Sequence, residues 1–261
     1  MPADLHHLTG VAEEAARTGG RVVAEGAGRA AAEVKGLGDY VTEIDRASER
    51  AIAEVLEGAT PDIPMVGEET GGPGGDRWWV VDPLDGTTNF LHRFPAVGVS
   101  VALIEQGEPV VGAVHAPFLG ETYLGASGLG ARVVRADGRD EALTVSDRPV
   151  GRAVVATGFP FRRKDLLPRY LPTMERALER FEDLRRPGAA ALDLAWVAAG
   201  VFDGFFELAL GAWDVAAGAV LIREAGGVVS DWGGGDGWLA GDILAGSPAV
   251  HAELVRLAGG A

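Results

Sequence analysis

Between residues 97 and 124 the chain runs through apolar stretches broken only at Gly107-Glu108-Pro109 and Gly120-Glu121. Breaks that short join antiparallel strands, because a parallel pair needs a crossover of about a dozen residues or more. The segment therefore predicts a meander and argues against a strictly alternating parallel barrel. Helical spacing precedes it: Leu5, Leu8, Ala12, Ala15 and Ala16 predict an opening amphipathic helix. Ile44, Ala47, Ala51 and Val55 predict a second from about Thr42, where Thr42 and Asp45 resemble a capping box. Gly36 and Gly38 predict a loop at 35–39 between the two. Short strands are expected at 65–67 and 78–81, separated by the glycine-rich loop 71–75. After the meander, strands are expected at 142–145, 154–157, 204–208, 227–229 and 243–245. Helices are expected at 166–181, 189–199, 214–225 and from Ser247. Strands and helices thus come in blocks, which favours a layered α/β fold with helices between sheets. The 261 residues suit one large domain or two closely packed ones. A soft boundary at 145–152 divides the chain into halves 1–147 and 148–261.

Composition narrows the function. Lys and Arg total 23 against 38 Asp and Glu, a net charge of −15, which argues against nucleic-acid binding, since that affinity needs clustered cations. The acidity instead fits plain solubility or a site that holds cations. With no cysteine, a disulfide, a thiol nucleophile and a thiolate metal site are all excluded. The first residues have neither the basic nor the apolar part of a signal peptide, and no run reaches the ~18 apolar residues of a membrane span. A cytoplasmic protein with no membrane partner is the expectation. The five histidines are dispersed without metal-ligand spacing.

Acidic residues that follow strands carry the chemistry. Glu68-Glu69, then Asp82 and Asp85 in Asp82-Pro83-Leu84-Asp85-Gly86, and Asp214 at a helix start all have this form. Such residues are held by a sheet yet face a crevice. Carboxylates in this pattern suit Mg²⁺, which takes oxygen ligands and keeps waters for substrate phosphate. Gly86-Thr87-Thr88-Asn89 opens a helix whose free N–H groups form an anion site beside them. The pair is the arrangement needed for metal-assisted attack of water on a phosphate ester. Each residue also has a plainer reading. Glu68-Glu69 can be a solvated pair, Asp45 a capping acid and Asp214 an N-cap. Asp-Pro-x-Asp-Gly is also a common turn composition. Glu207, inside the apolar run Phe205-Phe206-Glu207-Leu208, is harder to dismiss, because a carboxylate facing a core is costly.

In order along the chain, four segments carry a likeness: Asp39-Tyr40-Val41-Thr42-Glu43-Ile44-Asp45, Gly67-Glu68-Glu69, Trp79 through Phe90, and Trp213-Asp214-Val215-Ala216-Ala217-Gly218. His92-Arg93-Phe94-Pro95, the block from Arg185 to Gly200, and Glu224-Ala225-Gly226-Gly227 extend it. Together they resemble the inositol monophosphatase family of Mg²⁺-dependent sugar phosphatases. The resemblance implies an αβαβα sandwich, a homodimer and two to three Mg²⁺ ions per site. It implies that Glu68, Asp82 and the Leu84 carbonyl hold a first ion. Asp82, Asp85 and Asp214 would hold a second, and Glu68 would help hold a third through water. Thr87, hydrogen-bonded to Asp45, would orient the attacking water, and Gly86 and Thr87 N–H groups would bind phosphate. Asp85, Ala190 and Glu207 would face the alcohol portion. The leading substrate is an inositol monophosphate or similar polyol phosphate. Histidinol phosphate is the alternative, with fructose 1,6-bisphosphate and 3′-phosphoadenosine nucleotides behind it. A non-enzymatic metal-binding regulator is the contrasting class. Ala189 stands where many relatives carry serine, beside the alcohol pocket. The hairpin at 132–138 ends in Asp137-Gly138 in place of the usual Asn-Gly.

Overall fold

A computed structural model describes residues 2–28, 32–36 and 39–259. Helices α1 (Pro2–Gly26) and α2 (Glu43–Ala59) flank a hairpin of β1 (Ala32–Gly36) and β2 (Asp39–Thr42). Of the loop expected at 35–39, Lys35, Gly36 and Asp39 are in strands; Leu37 and Gly38 lie outside the described residues. Then come β3 (Met65–Gly67), β4 (Arg77–Asp85), the short helix α3 (Thr87–His92), β5 (Gly98–Glu105), β6 (Glu108–Ala116), β7 (Glu121–Ala126), β8 (Gly130–Arg135) and β9 (Asp140–Ala142). The second half contains β10 (Val154–Thr157), α4 (Leu167–Arg180), β11 (Asp183–Arg185), α5 (Ala190–Ala198), β12 (Gly204–Glu207), α6 (Ala212–Glu224), β13 (Val228–Ser230), β14 (Ile243–Gly246) and α7 (Pro248–Gly259).

Strands β3 to β9 form one sheet in sequence order, antiparallel from β4 onward. The second sheet has the order β11-β10-β12-β14-β13. Period-2 alternation on β5 sends Val99, Val101 and Leu103 to the cluster with α1 and α2, and Ala102 and Ile104 to the cluster with α5 and α6. With both faces covered, β5 reads as an almost unbroken apolar run. On the far side, α4 and α7 pack Tyr170, Ala177, Val250 and Leu254 against Val155, Phe206 and Leu244 of the second sheet. The layers are therefore α1/α2, first sheet, α5/α6, second sheet and α4/α7, an αβαβα sandwich.

The middle helices have almost no polar face, as burial between two sheets requires. Their small residues let the layers approach closely. A Cβ on Gly112 of β6 would come within 2.6 Å of the Ala217 backbone on α6. Every strand of the first sheet precedes residue 147 and every strand of the second follows it, yet α5 and α6 also cover the first sheet. The strand expected at 142–145 stops at Ala142, because the Val145 N–H donates to the Ala225 carbonyl just past α6. No helix among the described residues is long and apolar enough to cross a membrane.

Candidate active site

The site begins with an irregularity in β4. Residues three apart on a regular strand face opposite sides. Pro83 has no N–H for the ladder, and the register with β5 shifts between Asp82 and Asp85, pairing them with Ser100 and Gly98. The bulge turns both carboxylates the same way, so what reads as a turn is a strand end. Asp82 Oδ1 accepts from the Leu84 N–H at 2.9 Å. The partner across the ladder, Ser100 of β5, donates from Oγ to the Trp213 carbonyl at 2.9 Å, which ties the start of α6 to β5 beside Asp82. Oxygens of Asp82, Asp85 and Asp214 thereby lie within 4.8 Å of one another.

Asp214 is not the cap residue of α6. Gly211 occupies that position and Asp214 is the third helical residue, accepting from the Gly211 N–H at 2.6 Å. Asp85 has a structural role that the sequence analysis missed. Its two oxygens accept from the N–H groups of Ala190 (3.2 Å) and Ala191 (2.8 Å), so a strand residue caps α5. Ala189 in the cap position offers no side-chain acceptor, and that was the available signal.

Helix α2 supports the same end of β4. Its capping box is present, with Asp45 Oδ2 accepting from the Thr42 N–H at 2.9 Å. Asp45 Oδ1 faces Thr87 Oγ1 at 3.2 Å, and the same hydroxyl is 3.2 Å from the Leu84 carbonyl. Asp45 thus caps its helix and also reaches the site. One turn on, Ser48 Oγ donates to the Pro83 carbonyl at 2.8 Å. Gly86, with φ of +89°, turns the chain into α3, where a Cβ would meet the Ala96 carbonyl at 3.0 Å.

Asp82, Leu84, Asp85, Gly86, Thr87 and Asp214 line a cleft of about 420 Å³ that also includes Glu68, Ala190, Glu207 and, on its outer wall, Phe159, Phe161, Arg162 and Arg186. The Arg186 guanidinium lies over both Phe rings, a feature the sequence analysis did not single out. A larger cavity of about 570 Å³, lined by Phe90, Arg93, Phe94 and Phe118, has no carboxylate on its wall.

Electrostatics sets this cleft apart. Burial, and then the charges of Glu68, Asp85 and Asp214, push Asp82 well above the ordinary carboxylate range. Burial raises Asp85 to about 7 and, with the Asp85 charge, Asp214 to about 7. Burial, then Asp214, raises Glu207 to about 8 against the opposing Arg186 charge. Asp45 is raised by burial against its hydrogen bonds from Thr42. Behind them Asp193, buried on α5, is raised well above the ordinary range by burial and then by the Asp85 charge. Metal-free, this cluster takes up protons more readily than ordinary carboxylates do; a hard divalent cation would compete with those protons. The donor set is oxygen only, which fits Mg²⁺ rather than a soft metal.

The sequence and fold match known proteins along nearly the whole chain. A model described as the inositol monophosphatase family matches residues 4–259. A protein named Nus factor SuhB from Pasteurella multocida is 40% identical over 260 residues, covering 97% of this chain and 96% of its own. The structure of extragenic suppressor protein SuhB from Bartonella henselae superposes with a TM-score of 0.90 at 37% identity, covering 96% and 98% of the two chains. An inositol monophosphatase structure from Anabaena (Nostoc) sp. PCC 7120 gives 0.85 at 33% identity, with 97% and 96% covered. The family match takes in both sheets and every segment that shapes the cleft, and the chain belongs to the inositol monophosphatase family.

Proposed function

We propose that the chain is a Mg²⁺-dependent phosphomonoesterase for an inositol monophosphate or similar polyol phosphate. The convergence of Asp82, Asp85 and Asp214 carries this reading. Glu68, the three aspartates and the Leu84 carbonyl would hold two to three ions. Bound there, Mg²⁺ supplies neutralisation of phosphoryl charge and lowers the pKa of water. The protein's own groups do the rest. With its proton directed to Asp45 Oδ1, Thr87 Oγ1 keeps lone pairs free to accept from a water in the cleft and aim it at phosphorus. Gly86 and Thr87 N–H groups receive the phosphate oxygens, and Ala190 and Glu207 face the alcohol. A cytoplasmic location and a homodimer, the latter checked by light scattering, are part of the same proposal.

Phosphate release from a panel of monoesters, compared by kcat/KM in wild type and Glu207→Gln, tests the assignment. A neutral polyol phosphate should lose about 1–2 kcal/mol of transition-state binding in the variant, through a weaker charge-assisted hydrogen bond. Histidinol phosphate should lose more, and in a salt-dependent way, because its ammonium would lose an ion pair. No loss with either substrate removes Glu207 from the alcohol site, and equal losses remove its ion pair with the ammonium. A second reading, a Nus-factor role, is favoured by the 40% identity to proteins of that name. Release from any monoester that disappears in Asp82→Asn supports the phosphatase; no release from the panel favours the other role.

A further inference from the structure

Glu49 takes no part in the chemistry above, yet its carboxylate is buried, with the residue only 1% exposed. It lies on α2 four residues after Asp45, on the same face of the helix. Its Oε2 accepts from the Glu69 N–H at 2.9 Å and its Oε1 from the Thr70 N–H at 3.0 Å. Both donors belong to the tight loop after β3 that carries Glu68. The Gly67 N–H donates to the Gly71 carbonyl (3.1 Å) and the Gly71 N–H to the Gly67 carbonyl (2.9 Å), closing that loop on itself. The Glu68 N–H donates to the Val81 carbonyl on β4 at 3.1 Å, one residue before Asp82. Five consecutive N–H groups, 67 to 71, are therefore engaged, and Glu49 takes the two at the tip. The fit is close on the other side as well, since a Cβ on Gly67 would lie 2.4 Å from the Glu49 carboxylate.

We infer that Glu49 is a positioning residue: by clamping the tip of the 67–71 loop it fixes the Glu68 carboxylate against Asp82 for cation binding. The inference rests on the proposed function, because it takes Glu68 as a cation ligand. Without the clamp, two loop N–H groups lose their acceptor and Glu68 gains freedom that must be given up again on binding. Groups that orient a metal ligand are commonly worth 10–100-fold in affinity.

The test is calorimetric Mg²⁺ and Mn²⁺ binding to the purified full chain, with thermal unfolding measured alongside. Glu49→Ala should weaken cation binding at least tenfold, and Glu49→Gln, which keeps one acceptor oxygen, should fall between. Ile52→Ala, in the buried core beside α1 on the same helix, should lower Tm and leave cation affinity within about twofold. Gly67→Ala perturbs the clamp from its other side and serves equally if Glu49→Ala does not fold. Combined with Glu49→Ala it should cost little more than Glu49→Ala alone, since the clash is then relieved. Cation affinity within twofold of wild type in Glu49→Ala or Gly67→Ala overturns the inference, as does an equal loss in Ile52→Ala. If wild type binds neither cation saturably, the proposed function falls and this inference with it; binding by wild type and Glu49→Ala alike removes only the role of Glu49.

Discussion

Glu207→Gln should stabilise the metal-free protein in a pH-dependent manner. Glu207 closes β12 opposite Ile243, and a Cβ on Gly158 would lie 2.0 Å from its carboxylate. Burial, with the Asp214 charge, lifts it from 4.5 to about 8. A folded-state value raised above the unfolded one means that folding takes up a proton. The stability this contributes is full below pH 4.5 and is lost as pH rises through about 8. At pH 7 the wild type has lost about 3 kcal/mol of it, at about 1.4 kcal/mol per unit. The side chain keeps some contact with the cleft solvent, and screening trims the expected figure to about 2 kcal/mol. Glutamine has the same size and no charge, so its advantage should be near zero at pH 4.5 and rise toward a plateau above pH 8. Urea unfolding of both proteins with chelator present, at several pH values across that window, measures the difference directly. A difference that stays constant from pH 4.5 to 8 would refute the reasoning.

The other expectations concern the carboxylates and the hydroxyl. Asp82→Asn should reduce turnover at least a hundredfold while leaving the chelated protein as stable as wild type or more so, because it removes like-charge repulsion; wild-type turnover at modest Mg²⁺ would rule this out. Thr87→Val should keep cation binding and lower kcat far more than it raises KM, since the hydroxyl acts on the attacking water; a change in KM alone contradicts that role. Asp85 and Asp214, raised to about 7, must give up protons to bind a cation. Mg²⁺ affinity should therefore climb as pH rises through about 7, with protons released to the medium. Calorimetry in two buffers of different ionisation enthalpy should report different apparent heats, and identical heats would contradict proton release.

What the sequence revealed depended on range. The α2 capping box joins residues three positions apart and could be read directly. So could the strand-end carboxylates, since a polar residue closing an apolar run stands out. The bulge at Pro83 could not, because a shift of register is a relation between β4 and β5. The Asp85 cap on α5 joins residues 105 and 106 positions apart, and only the alanine at the cap position hinted at it. Glu49 looked like one more polar residue on an amphipathic helix, although its spacing from Asp45 put the two on one face. The hairpin β1–β2 was hidden by its glycines, while β11 is three residues long with charges at both ends.

The placement of α5 and α6 between the sheets has a consequence for synthesis. In the finished chain they cover the inner face of the first sheet, yet they lie well after its last strand. At about 5–20 residues per second, a ribosome takes roughly 5–20 s to pass from Asp85 to Ala190. The meander is complete once Ala142 is made, so for the later part of that interval its inner apolar face has no cover, and throughout it Asp85 has no helix to cap. The nascent chain thus has a timed vulnerability, set by the order of elements along the chain rather than by final stability. A pause in translation between residues 143 and 212 would lengthen the window in which that bare face can meet another chain.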